Sequence, residues 1–188
     1  KACKAGMYQA EAAKTSCVKC AEGHVSTEGK AVCEACHAGK YQSEKGKASC
    51  IACGNGQYAS AGSESCKNCE KGKHGVHGAA PANKDSCIAC TAGRWSNSTR
   101  AANNSTCVAC GNGTYSGAVG AFAATTCNEC AAGKFSNEGT GQQSYRTCKL
   151  CAAGQYQDKP AKTSCMECEK GRKSAKGKPT CDVCDAGK

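Results

Sequence analysis

One short cysteine pattern constrains this chain more than any other feature. Cys-x-x-Cys begins at Cys17, Cys33, Cys50, Cys66, Cys87, Cys107, Cys127, Cys148, Cys165 and Cys181, at steps of 16, 17, 16, 21, 20, 20, 21, 17 and 16 residues. These ten pairs use twenty of the 21 cysteines and leave Cys3. After the second cysteine of most pairs the same phrase returns, Cys-x-x-Gly-x-ring, as in Cys36 to Tyr41, Cys53 to Tyr58, Cys90 to Trp95, Cys130 to Phe135 and Cys151 to Tyr156. Cys3, Gly6 and Tyr8 fit it, while Val25, His74 and Lys173 stand where a ring is expected. A fixed short period overrides any element-by-element reading. Residues 1–188 are therefore expected to form one continuous array of about ten repeats, starting near Cys3, Cys20, Cys36, Cys53, Cys69, Cys90, Cys110, Cys130, Cys151 and Cys168. The array opens on the second cysteine of a pair, in "CKAGMY", and stops early in a repeat, in "CDAGK", which is the expectation for a window from a longer protein.

Composition shows what those cysteines must replace. Leu, Ile, Val and Phe together number only twelve in 188 residues. The 39% hydrophobic content is mostly Ala and Cys, and Ala buries little surface. A chain so poor in large apolar residues stays disordered unless something covalent or metallic supplies its core.

Three chemistries compete for Cys-x-x-Cys. Two pairs about 15 to 20 residues apart match a zinc-ribbon spacing, but zinc consumes two pairs per ion and requires spacers to alternate between loop and linker. Every spacer here carries the same Gly phrase, and Cys3 would be idle. A dithiol redox site needs one such motif at a helix start, not ten among glycines. Structural disulfides fit the frame best. If the second cysteine of each pair bonds the first of the next, the bridges are Cys3–Cys17, Cys20–Cys33, Cys36–Cys50, Cys53–Cys66, Cys69–Cys87, Cys90–Cys107, Cys110–Cys127, Cys130–Cys148, Cys151–Cys165 and Cys168–Cys181. Cys184 is left for a partner beyond the window. Crossed bonds, first to first and second to second, are an alternative that again predicts alternating spacers, and the sequence leaves it open. Closing a loop of this size stabilises by roughly 3 kcal/mol on the chain-entropy model. Burying one ring per repeat adds about 1.5–3 kcal/mol, so the cross-links equal or exceed the hydrophobic contribution.

The expected fold class is small, disulfide-rich and mostly irregular, with short β-hairpins. Gly at the third position after the cysteine suits a turn with positive φ, and the ring that follows is expected to lie on a neighbouring disulfide. Val18, Ile51, Ile88 and Val108 sit between paired cysteines, as β-branched residues do in a short extended segment. No apolar spacing supports a helix of three turns. If each repeat touches only its neighbours, the array forms an elongated tandem-repeat rod on the order of 100 Å long.

The phrase Cys-x-x-Cys-x-x-Gly-x-Tyr, a polar loop and the next Cys-x-x-Cys resembles the ephrin-receptor-like cysteine-rich repeat, a relative of tumour-necrosis-factor-receptor-type modules. The resemblance covers the whole chain, departing from the pattern at the repeats of Cys69 and Cys168, which lack the ring. It implies a secreted or cell-surface location, disulfide-stapled strand pairs and the neighbour-to-neighbour connectivity given above. Such repeats occur in receptor ectodomains and in large surface proteins of protists and microalgae, flagellar hairs included.

Candidate modification and binding sites are few. Asn97, Asn103, Asn104 and Asn112 begin N-glycosylation sequons crowded into two adjacent repeats. The net charge of +10 comes mainly from Lys spread along the chain, a pattern typical of a solvated surface. Its one dense run, Lys170, Arg172, Lys173, Lys176 and Lys178, is a candidate for an acidic polysaccharide or an acidic partner chain. Nucleic acid is not expected, because only scattered single rings are available for stacking. His24 and His37 have no triad-like companions, and His74 with His77 is the one near pair, read as a polar turn rather than a metal site. No enzyme, cofactor, metal site or membrane span is expected. The reading is an extracellular or cell-surface structural protein: a stalk, spacer or subunit of a fibrous assembly, partnered by other chains of that assembly. A receptor or adhesin ectodomain that binds a protein or acidic glycan is the alternative.

Overall fold

A computed structural model describes residues 2–11, 14–76 and 83–184. The chain divides into two compact units, Lys1–Ile88 with Ser98–Thr106, and Ala89–Asn97 with Cys107–Lys188. Among the described residues, regular structure is confined to two-residue strands and three-residue 3₁₀ turns.

In the first unit, Met7–Tyr8 pairs antiparallel with Val18–Lys19, His24–Val25 with Glu34–Ala35, Lys40–Tyr41 with Ile51–Ala52, and Gln57–Tyr58 with Lys67–Asn68. The second unit repeats the scheme: Arg94–Trp95 with Val108–Ala109, Thr114–Tyr115 with Asn128–Glu129, Lys134–Phe135 with Lys149–Leu150, Gln155–Tyr156 with Met166–Glu167, and Arg172–Lys173 with Asp182–Val183. Each hairpin thus joins the ring segment of one repeat to the two residues between the cysteines of the following pair. The register sets Tyr8 opposite Val18 and Tyr41 opposite Ile51, cross-strand pairs of the kind that stabilise small sheets.

Disulfides join Cys3 to Cys17, Cys20 to Cys33, Cys36 to Cys50, Cys53 to Cys66, Cys69 to Cys87, Cys90 to Cys107, Cys110 to Cys127, Cys130 to Cys148, Cys151 to Cys165 and Cys168 to Cys181, with Cα atoms 5.4 to 5.8 Å apart. Cys184 is a free thiol, half-buried.

Loop length decides what lies inside each bridge. Where the cysteines are 17 or 18 positions apart, a 3₁₀ turn precedes the closing cysteine: Lys84–Ser86, Asn104–Thr106, Ala124–Thr126 and Tyr145–Thr147. Three of the four have a polar side chain at the cap: Asn83 Oδ1 accepts from the amides of Asp85 and Ser86, Asn103 Oδ1 from Ser105, and Ser144 Oγ from Arg146. Ala123 holds that place in the third turn and offers no acceptor.

Where the separation is 14, a glutamine follows the ring and clips the loop shut. Gln42 Nε2 donates to the Ser49 carbonyl and Gln157 Nε2 to the Ser164 carbonyl, both at 2.8 Å, and Gln9 makes the same bond to Ser16. Where it is 13, the residue is small. Ser26 Oγ donates to the Met7 carbonyl at 3.0 Å and Ser174 Oγ to that of Gln155 at 2.7 Å, while Ala59 fills the place in the third such loop.

Two expectations need correction. Tyr41, Tyr58, Trp95, Tyr115, Phe135 and Tyr156 are only half-buried, whereas the residues after them are buried: Gln42 at 4% exposure, Ala59 at 1%, Ser96 and Ser116 at 1%, Ser136 at 0% and Gln157 at 4%. A two-residue strand offers its ring only one neighbour to cover it, so the core consists of sulfur and small polar side chains. Repeats also touch beyond their nearest neighbours. A Cβ on Gly133 would overlap the carbonyl oxygen of Gly177, two repeats on, and the same approach recurs at Gly93 with Gly141 and Gly113 with Ala161. In the first unit it recurs at Gly6 with Gly46, Gly23 with Gly62 and Gly56 with Arg100. Absence of a side chain at these glycines admits the more distant loop.

Candidate interaction surface

The organising element is the second cysteine of a pair, which at Cys20, Cys36, Cys69, Cys110, Cys130 and Cys151 ties three successive repeats. Cys130 shows how. Its amide donates to the Gly113 carbonyl of the repeat before at 2.9 Å, and its carbonyl accepts from the Ala161 amide of the repeat after at 2.9 Å. Its sulfur closes the bridge to Cys148, and the residue is 1% exposed. Cys20 repeats the arrangement in the first unit, with Gly6, Gly46 and Cys33. Cys36, Cys110 and Cys151 do the same. A cysteine whose amide, carbonyl and sulfur are all satisfied can be buried without leaving an orphaned polar group. The first cysteines Cys17, Cys33, Cys50 and Cys66 are only half-buried.

The loop residue that meets each junction has positive φ. It is glycine at positions 29, 46, 62, 120, 141 and 177, but Arg100 and Ala161 hold the same conformation at φ 58° and 56°. The backbone geometry is therefore imposed by the junction and does not wait on glycine.

Surface candidates lie around this frame. Asn97, Asn104 and Asn112 are exposed. Asn103 is half-buried, and its Oδ1 accepts from both the amide and the hydroxyl of Ser105, at 3.0 and 2.6 Å. Lys170, Arg172, Lys173, Lys176 and Lys178 are all exposed in the second unit, and the Arg172 guanidinium donates to the Cys181 carbonyl at 3.3 Å. Beside them Tyr156, Glu169, Arg172, Thr180 and Cys181 line a cleft of about 340 Å³. His74 is buried at the end of the strand Lys73–His74, with Nδ1 2.8 Å from the Gly75 carbonyl; His77 lies outside the described residues. Among the described residues no three His, Cys, Asp or Glu side chains cluster as metal ligands, and no helix is long and apolar enough to cross a membrane.

Sequence reasoning passed over the position after the ring. Its signal was available: Gln9, Ser26, Gln42, Ala59, Gly75, Ser96, Ser116, Ser136, Gln157 and Ser174 are all small or glutamine, never charged, in a chain with 21% charged residues. A site that excludes charge on an otherwise hydrophilic chain is a buried site.

Residues 23–69 match the family described as tyrosine-protein kinase ephrin type A/B receptor-like, and this stretch is an ephrin-receptor-like cysteine-rich repeat. The junction geometry found within it recurs on both sides, at Cys20 and at Cys110. Repeat and tandem disulfides together define a disulfide-stapled extracellular interaction module. No curated protein matches the chain.

Proposed function

We propose that the chain is a stiff extracellular spacer within a stalk or fibrous surface assembly. The observation that carries this reading is the three-repeat junction. At Cys20, Cys36, Cys110, Cys130 and Cys151 a buried cysteine is bonded to the repeat before and the repeat after. A repeat tied to its first and second neighbours resists bending better than one held by a single covalent link. Exposed Asn97 and Asn112 carry N-glycans on this reading, and the exposed lysines keep the spacer soluble.

Negative-stain electron microscopy of the oxidised chain tests the proposal directly. Particles with one narrow distribution of end-to-end length are expected. Particles bent at random positions, or a broad spread of end-to-end distances, would overturn it. A ligand-binding ectodomain is the second reading, favoured by apolar side chains left exposed on the hairpins, Val18 at 51%, Val108 at 52% and Val183 at 67%. Sedimentation separates the two: a fibre subunit forms larger species as concentration rises, whereas a receptor module stays monomeric.

A further inference from the structure

We propose that the last two repeats bind a linear anionic polysaccharide through Lys159, Lys162, Lys170, Lys176 and Lys178. The argument is a comparison of loops that hold the same structural place. Gly29, Gly46, Ala161 and Gly177 each donate an amide hydrogen bond of 2.9 Å to a buried cysteine carbonyl, of Cys3, Cys20, Cys130 and Cys151 respectively. Their flanking lysines are therefore equivalent in position.

In the first unit these lysines have carboxylate partners. Lys30 beside Gly29 pairs with Glu34 at 3.1 Å. Lys45 and Lys47, which flank Gly46, pair with Glu22 at 3.8 Å and Glu44 at 3.0 Å. In the second unit the same triplet, Lys176-Gly177-Lys178, has none among the described residues. The place of Glu44, two residues before the central glycine, is taken by Ala175 in one loop and by Lys159 in the other. Lys162 follows Ala161 as Lys47 follows Gly46. None of Lys159, Lys162, Lys170, Lys176 and Lys178 forms an ion pair among the described residues, and all five are exposed.

Unpaired cations on two successive loops present charge at repeated intervals. A linear polyanion, with its own repeated charge, matches that spacing better than a folded acidic surface does. The adjacent cleft points to sugar: Tyr156 lines it as an aromatic residue, and Arg172, Thr180 and Glu169 bring side chains with donors and an acceptor for hydroxyl groups. Lysine ammonium groups act as hydrated point charges, suited to sulfate or carboxylate groups arrayed along a flexible chain. The proposal requires neither the spacer nor the receptor reading, and its failure leaves both standing.

Binding of the full oxidised chain to immobilised dextran sulfate, polygalacturonate, neutral dextran and poly-glutamate tests it. Dextran sulfate or polygalacturonate is expected to retain the chain, and neutral dextran to release it. The K159Q/K162Q/K176Q/K178Q variant is expected to weaken binding about tenfold or more, whereas K14Q/K30Q/K45Q/K47Q, with the same loss of charge, changes it by about twofold at most. Ala175→Glu, which restores the carboxylate found at Glu44, is expected to weaken binding alone. Equal losses in both quadruple variants would reduce the effect to bulk charge and overturn the proposal. Retention by poly-glutamate as strong as by either polysaccharide would overturn it in favour of an acidic protein surface. These are exposed side chains, and peptide mapping of the ten disulfides shows whether each variant keeps the native pairing.

Discussion

Gly133 and Ala161 show the opposite consequences of one backbone conformation. Gly133, at φ 80°, lies against the Gly177 carbonyl with no room for a methyl group. Gly133→Ala is expected to destabilise the second unit by about 3 kcal/mol, from steric overlap and left-handed strain together. Ala161 already bears left-handed strain at φ 56°, so Ala161→Gly is expected to stabilise by about 0.5–1 kcal/mol. Thermal unfolding of both variants checks the pair. A second contrast lies in the buried position after the ring. Ser174 Oγ donates to the Gln155 carbonyl at 2.7 Å, while Ser136 Oγ is fully buried and has no hydrogen-bond partner among the described residues. Ser136→Ala is expected to raise stability by about 1 kcal/mol and Ser174→Ala to lower it by a similar amount. A fall in melting temperature for Ser136→Ala would show that the hydroxyl is satisfied in solution.

At the scale of elements, loop length and the residue after the ring act together. A 14-residue separation comes with a glutamine long enough to reach the carbonyl before the closing cysteine, and a 13-residue separation with a small residue. Longer loops spend their additional residues on a 3₁₀ turn, whose cap satisfies amides left free at its start. The third turn, Ala124–Thr126, lacks that cap. Ala123→Asn is expected to stabilise by about 1 kcal/mol, by analogy with Asn83 and Asn103, and amide hydrogen exchange at Thr125 should slow. The strands were legible as segments because their β-branched residues fall between paired cysteines. Their two-residue length was not, since it is set by where the bridges close.

At the scale of the whole molecule, the ten bridges take the place of an apolar core. Intact mass spectrometry of the native chain, alkylated without reductant, is expected to show one label, on Cys184, with hexose increments mapping to Asn97 or Asn112. Reduction before alkylation is expected to label all 21 cysteines and abolish resistance to protease, because only twelve large aliphatic and Phe residues remain to hold the fold. The sequence by itself determined the repeat, its period and the need for covalent cross-links, since these follow from cysteine spacing and the shortage of apolar residues. The neighbour-to-neighbour pairing was available to it only as one arrangement among two. Tertiary structure alone decided that second cysteines such as Cys20, Cys36, Cys110, Cys130 and Cys151 join three repeats and that glycines admit the loop of the next repeat but one. Those outcomes depend on residues distant in sequence arriving within hydrogen-bond reach, and spacing along the chain carries no record of that distance.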